Sequence, residues 1–80
     1  MNKLGTYMDA LRALAKQPAS DNRNRVGEYR INEYLYGEER PLRSALERLR
    51  NEIAKEGDGE FWIVMQNYVQ TRLNHLADRV

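Results

Sequence analysis

The sequence predicts a small all-α protein, a single-domain helical bundle, and three observations carry that prediction. At 80 residues the chain has room for one ordinary domain, residues 1–80. Two segments in its second half place apolar residues at helical spacing between clear helix-end signals. No second run of alternating apolar residues exists with which a single β-strand could pair.

A first helix is indicated by apolar residues that recur every three or four positions and so share one face. These residues are Leu4, Tyr7, Met8, Leu11, Leu14 and Ala15. Thr6 followed by Asp9 resembles a capping box, although Asn2 could cap an earlier start. Pro18 cannot continue a helix and restrains the residue before it, so we expect the helix to end near residue 17.

The clearest pattern covers residues 42–56, where one face is apolar and arginine and glutamate fill the remainder. The apolar face consists of Leu42, Ala45, Leu46, Leu49 and Ile53. Pro41 suits the first helical position, where a missing N–H donor costs nothing. Gly57 suits the left-handed position just past the helix end.

A last helix of about five turns follows, and Asp58 can cap its start. At helical spacing it carries Phe61, Met65, Tyr68, Val69, Arg72, Leu73, Leu76 and Val80. The connection Gly57-Asp58-Gly59 is short, so the last two helices should fold back on each other as an antiparallel hairpin.

Residues 26–36 fit two different structures. Tyr29, Ile31 and Leu35 alternate as they would in a strand, whereas Ile31, Tyr34 and Leu35 also fit a short helix. A lone strand would leave its backbone hydrogen-bonding groups without partners.

We therefore expect a fourth helix over residues 22–36, capped by Asp21 or Asn22 and ended by Gly37. If the segment is a strand instead, its pairing partner must come from another molecule, and the segment could also become ordered only on binding.

Side chains that make or break bonds are scarce. One histidine and no cysteine exclude a disulfide, a thiolate nucleophile and cysteine-based metal sites. The sequence contains neither G-x-x-x-x-G-K-[ST] nor G-x-G-x-x-G, the glycine-rich motifs that bind phosphate groups. No serine lies in a nucleophile-elbow motif such as G-x-S-x-G, so His75 has no serine nucleophile to activate. We therefore expect no enzyme activity, no cofactor and no bound metal.

Targeting signals are also absent from the sequence. The longest apolar run, residues 61–65, falls far short of the roughly 20 residues that cross a bilayer. No hydrophobic stretch typical of a signal peptide follows Lys3. These observations lead us to expect a cytoplasmic protein that does not bind membranes.

Arginine outnumbers lysine ten to three, and tyrosines accompany it in one stretch of the chain. A guanidinium group pairs with carboxylates through two hydrogen bonds and stacks on aromatic rings. Tyrosine and arginine also concentrate binding energy where proteins meet. The candidate partner-binding residues are Arg23, Arg25, Tyr29, Arg30, Tyr34 and Tyr36. They predict a surface that docks onto another protein, or onto a second copy as a homodimer.

Two other interpretations of the same stretch stay open. Arg23, Arg25 and Arg30 with the neighbouring tyrosines could hold phosphates and stack bases of a nucleic acid, although Glu28 and Glu33 dilute the positive charge. Alternatively, the tyrosines only cover a small core.

Small proteins without cofactors are often regulators or inhibitors. They include antitoxin-like factors and phage-borne inhibitors of host defence such as anti-CRISPR proteins. No motif in this chain carries that association, so it is an expectation from size and composition alone.

Overall fold

The computed structural model describes residues 3–36 and 42–77. Within these ranges the chain forms four α-helices and no strand. The helices are α1 (Lys3–Ala15), α2 (Asp21–Tyr36), α3 (Leu42–Ala54) and α4 (Glu60–Ala77). The predicted all-α class is confirmed, and residues 26–36 belong to helix α2.

The start of α1 differs from the prediction. The helix begins at Lys3, so Thr6 and Asp9 lie inside it and the predicted capping box is wrong. With that start, Lys3, Leu4 and Gly5 precede Thr6 within the helix, so Thr6 is not its N-cap. The alternative cap, Asn2, lies outside the described residues. The helix ends three residues before Pro18, two residues earlier than predicted.

Ser20 caps α2. Its Oγ accepts a hydrogen bond of 3.0 Å from the backbone N–H of Arg23, the third helical residue, as an N-cap side chain does. The predicted caps, Asp21 and Asn22, are instead the first two residues of the helix. As an acidic residue in the first turn, Asp21 still complements the positive end of the helix dipole.

The turn between α3 and α4 confirms one predicted residue and corrects another. Gly57 has a φ of 106°, the left-handed region that favours glycine. The backbone carbonyl of Gly59 accepts a 3.0 Å hydrogen bond from Ile63 N–H, so Gly59 occupies the N-cap position that was predicted for Asp58. Besides Asn2, three residues named in the predictions lie outside the described ranges: Gly37, Pro41 and Val80.

The helices alternate in direction. The ring of Tyr7, early in α1, meets that of Tyr34, late in α2, so these two helices are antiparallel. Between α2 and α4 the order of contacts is the same in both helices, Arg23 with Glu60 and then Asn32 with Arg72, so they run parallel. The predicted antiparallel hairpin of α3 and α4 forms the most extensive helix pair. The result is an up-down-up-down bundle.

Apolar side chains from all four helices fill the centre of the bundle. The buried apolar side chains in the described residues are Leu4, Met8, Leu11, Ile31, Tyr34, Leu35, Ala45, Leu46, Leu49, Ile53, Phe61, Trp62, Met65, Val69 and Leu73. At one end of the bundle, Arg12 of α1 donates hydrogen bonds to Asp9 and to Glu56 beyond α3. The bond to Glu56 raises the pKa of Arg12 and links the end of α1 to that of α3.

Candidate partner-binding surface

The six candidate residues all lie on α2, but the helix divides them between its interior and its exposed side. Arg23 and Tyr34 are buried. The other four are exposed: Arg25, Tyr29, Arg30 and Tyr36. A partner can therefore reach four of the six without unfolding the bundle.

Arg23 has a structural role at the start of α2. Only 6% of its side chain is exposed, and its guanidinium carbon lies 5.0 Å from the centre of the Phe61 ring. The guanidinium donates hydrogen bonds to Glu60 at 2.9 Å and to the backbone carbonyl of Gln17 at 3.2 Å. These contacts tie α2 to α4 and to the connection that precedes α2, so the guanidinium is already committed inside the fold.

Tyr34 belongs to the core. Its side chain is 1% exposed, and its ring meets the ring of Tyr7 edge to face, with centroids 5.7 Å apart. The aromatic pair holds α1 against α2, so the interpretation of the tyrosines as core residues is correct for Tyr34.

A row of residues, three exposed and the fourth, Asn32, partly buried, follows the side of α2 that faces away from the core. Arg25, Tyr29, Asn32 and Tyr36 succeed one another at intervals of four, three and four residues, which keeps them on one face of a helix. Tyr29 is 67% exposed and Tyr36 is 94% exposed. We call these four residues the outward face of α2.

Arg30 lies beside this row and has a local partner. Its Nη1 donates a 2.6 Å hydrogen bond to Glu33 Oε1, one turn further along the same helix. Both side chains are about half exposed, so the pair contributes little to stability. Its effect on the surface is to neutralise one positive charge.

A hydrogen-bonded cluster joins the outward face to α4. Asn32 Oδ1 accepts hydrogen bonds from Tyr68 Oη at 3.0 Å and from Arg72 Nη1 at 2.7 Å. Arg72 Nη1 also donates to Tyr68 Oη at 3.2 Å, and its guanidinium carbon lies 5.9 Å from the centre of the Tyr68 ring. We call these residues the Asn32–Tyr68–Arg72 cluster.

A shallow pocket of about 310 Å³ opens beside the cluster. Its lining residues are Asn32, Leu35, Tyr36 and Arg72. Tyr36 and Asn32 belong to the outward face, so that face and the pocket form one continuous surface. No carboxylate in the described residues lies within ion-pair distance of Arg72.

The sequence pattern did not identify Asn32, Tyr68 or Arg72 as site residues. They are separated by 36 and 40 positions, and only the parallel packing of α2 and α4 brings them together. One signal was available, because Arg72 is a charged residue at the same helical spacing as the apolar residues of α4. An arginine in such a position must find polar partners beside the core.

The remaining chemistry of the described residues is limited. Within residues 3–36 and 42–77, no group of three or more histidine, aspartate or glutamate side chains is placed to hold a metal ion. His75, the single histidine, is exposed near the end of α4. None of the helices in these ranges is both long and apolar enough to cross a membrane.

Comparisons with known proteins give no match: no family model, no curated protein and no solved structure is significantly similar to this chain.

Proposed function

We propose that this chain is a small protein-binding module without catalytic activity, which acts as a regulator or inhibitor by docking the outward face of α2 onto a partner protein. The observation that carries the proposal is the exposure of Tyr29 and Tyr36 on one helix face. Seven residues apart, they stand about 10 Å apart along the helix axis, a span that one flat contact can cover.

The bundle itself makes little use of these two rings. Its core is filled by other side chains, including Tyr34 of the same helix, and Tyr36 is almost fully exposed. A tyrosine ring presents a large apolar area with a polar tip and loses little conformational entropy when it is fixed, which is why interfaces are rich in it. Two such rings in a row supply the apolar centre of a small interface.

Charge favours a protein partner over a nucleic acid. Of the three arginines considered for phosphate binding, Arg23 is buried and Arg30 pairs with Glu33, which leaves Arg25. A phosphate backbone is held by many cations at once, and its affinity grows with their number. The outward face of α2 supports a contact that aromatic rings dominate and a few charges orient.

The same charges favour a different protein over a second copy of this chain. Arg25 and Arg72 have no acidic partner among the described residues, and in a two-fold symmetric dimer each copy presents the same patch to the other. The positive groups would then approach each other near the axis. A partner with an acidic, partly apolar surface complements them instead.

The test is affinity capture from nuclease-treated lysate of the source cells, with three forms of the protein as bait. Wild type should retain one partner, and the double variant Tyr29→Ser/Tyr36→Ser should lose it. The matched control is Ile63→Ser, which removes an apolar side chain that is 45% exposed on α4 and should leave capture unchanged.

Three results would count against the proposal. Equal capture by the double variant would remove the outward face from the interface. Capture that disappears on nuclease treatment would favour the nucleic-acid alternative. A light-scattering mass of twice the chain that falls to one chain in the double variant would assign the face to a homodimer.

A further inference from the structure

We infer that the pocket between α2 and α4 binds a carboxylate side chain, aspartate or glutamate, with Arg72 as its main ligand. The inference rests on the proposed function for the source of that carboxylate, a residue on the partner protein. The pocket itself is inferred from the hydrogen bonding of the Asn32–Tyr68–Arg72 cluster, together with the charge of Arg72, which no carboxylate in the described part of the chain neutralises.

The hydrogen bonds within the cluster occupy its acceptor atoms, Asn32 Oδ1 and Tyr68 Oη, but only some of its N–H donors. Asn32 Oδ1 already accepts from both Tyr68 and Arg72, and Tyr68 Oη donates to Asn32 and accepts from Arg72. Arg72 makes two hydrogen bonds to the described residues, and both are donated by its Nη1 group. Within residues 3–36 and 42–77, the Nε and Nη2 groups of Arg72 and the amide NH₂ of Asn32 have no acceptor and are therefore available to donate. A ligand that fits this pattern must be an acceptor.

The guanidinium is held in place before any ligand arrives. Two hydrogen bonds fix its Nη1 end, and the ring of Tyr68 lies 5.9 Å from its central carbon. Arg72 is half-buried, so its charge is only partly hydrated and no described carboxylate neutralises it. An arginine restrained in this way presents its remaining Nε and Nη2 donors as a planar fork, which matches the two oxygens of a carboxylate.

The walls of the pocket favour a carboxylate on a carbon chain over a phosphate. Leu35 and the ring of Tyr36 give the pocket apolar sides that can cover the methylene groups of an aspartate or glutamate. Among the described lining residues, Arg72 is the one that carries a positive charge. A phosphodiester backbone gains affinity from several cations, whereas a single carboxylate is matched by one guanidinium.

The test is an NMR titration of the full chain with glutamate blocked at both ends, N-acetyl-glutamate N-methylamide, at constant ionic strength. The equivalent blocked glutamine is the control ligand, and inorganic phosphate is the alternative anion. The signals followed are the Nε–H of Arg72 and the side-chain NH₂ of Asn32. One charge-assisted contact predicts a dissociation constant on the order of 10–100 mM for blocked glutamate.

We expect blocked glutamate to shift both signals in a saturable way and blocked glutamine to leave them unchanged. Arg72→Lys keeps the charge but loses the fork, and should weaken binding by at least about threefold. Lys16→Gln removes one positive charge in the exposed α1–α2 connection and should bind as wild type does. Arg23 links the neighbouring residue, Gln17, to Glu60 at the start of α4, about 18 Å along the helix from Arg72.

The inference is overturned if neither signal moves, if blocked glutamine moves them equally, or if phosphate binds more tightly than blocked glutamate. These results are distinguishable from failure of the proposed function. If blocked glutamate does not bind but Tyr29→Ser/Tyr36→Ser still loses the partner, the carboxylate pocket is refuted and the docking face is supported. If blocked glutamate binds but the double variant captures the partner as wild type does, the pocket is supported and the docking face is refuted.

Discussion

Gly27 of α2 and Met65 of α4 are so close that a Cβ atom on Gly27 would lie 2.9 Å from the sulfur of Met65. The same Cβ would lie 3.0 Å from two ring carbons of Phe61. All three residues are buried, so neither neighbour is free to swing into solvent. The missing side chain at position 27 thus sets the distance between two parallel helices.

Gly27→Ala should lower the free energy of unfolding by about 1 kcal/mol. Overpacking a filled core costs about 1–3 kcal/mol, and the better helix propensity of alanine recovers about 1 kcal/mol. Urea unfolding measures the change. A double-mutant cycle with Met65→Ala should give less destabilisation than the sum of the single changes, because the shortened side chain makes room for the added methyl group. Additive effects would show that the close approach is not limiting.

Arg23→Gln should cost about 2 kcal/mol of stability, because it removes charge-assisted hydrogen bonds and the packing of the arginine stem near Phe61. Glu60→Gln removes only the acidic partner, whose side chain is 65% exposed, and should cost less than about 1 kcal/mol. Thermal or urea unfolding of the two variants tests the difference. Similar costs would mean that the ion pair, and not the burial of Arg23, is what matters.

This difference affects how binding data on Arg23 are to be interpreted. A loss of nucleic-acid or protein binding in an Arg23 variant has two sources, a missing contact or a less stable bundle. A substitution of Arg25, which is exposed on the outward face, also removes one positive charge but leaves the core contacts of the bundle in place. Binding studies of the basic residues of α2 should therefore use Arg25→Gln as the informative variant.

The two glycines of the α3–α4 connection should respond in opposite directions to the same substitution. Gly57→Ser places a side chain at a φ of 106° and should destabilise by about 1–2 kcal/mol. At Gly59 an added Cβ meets nothing closer than 3.7 Å, and a serine there can cap α4. Gly59→Ser should therefore stabilise the protein by about a few tenths of a kcal/mol, which is the advantage of serine over glycine as an N-cap. Differential scanning calorimetry of both variants tests the signs. A destabilising Gly59→Ser would contradict the assignment of Gly59 as the N-cap.

The fold could be predicted from the sequence where local signals agreed with each other. In α3 the apolar spacing, the arginines and glutamates of the other face and Gly57 all indicated the same helix. In α2 they conflicted, because Tyr29, Ile31 and Leu35 fit a period of two as well as a helix, and Gly27 lowers helix propensity. The packing that makes Gly27 useful comes from α4, so no local pattern could reveal it.

The candidate site could be predicted only in part, for a related reason. Composition and spacing placed arginines and tyrosines together on α2, and four of the six are exposed. Burial of Arg23 depends on Phe61 and Glu60, and burial of Tyr34 depends on Tyr7. Which side of a helix faces the core depends on neighbours that are distant in sequence. The contact of Asn32 with Arg72 could not be predicted for the same reason, because the two residues are 40 positions apart.

Tyr29→Ser/Tyr36→Ser should leave the free energy of unfolding within about 0.5 kcal/mol of wild type, because substitutions of exposed side chains rarely cost more. Urea unfolding at equal protein concentration is the measurement, with Tyr34→Ser as the comparison. Loss of that buried ring should destabilise the chain by several kcal/mol, about 3–5. A large loss in the double variant would mean that the exposed rings support the fold.

Hydroxyl-radical footprinting of the complex recovered by affinity capture, compared with the free chain, tests the docking face most directly. Oxidation of Tyr29 and Tyr36 should slow several-fold in the complex, while oxidation of Ile63 on α4 should continue at the rate of the free chain. Unchanged rates at both tyrosines, or protection of Ile63 in their place, would contradict this prediction.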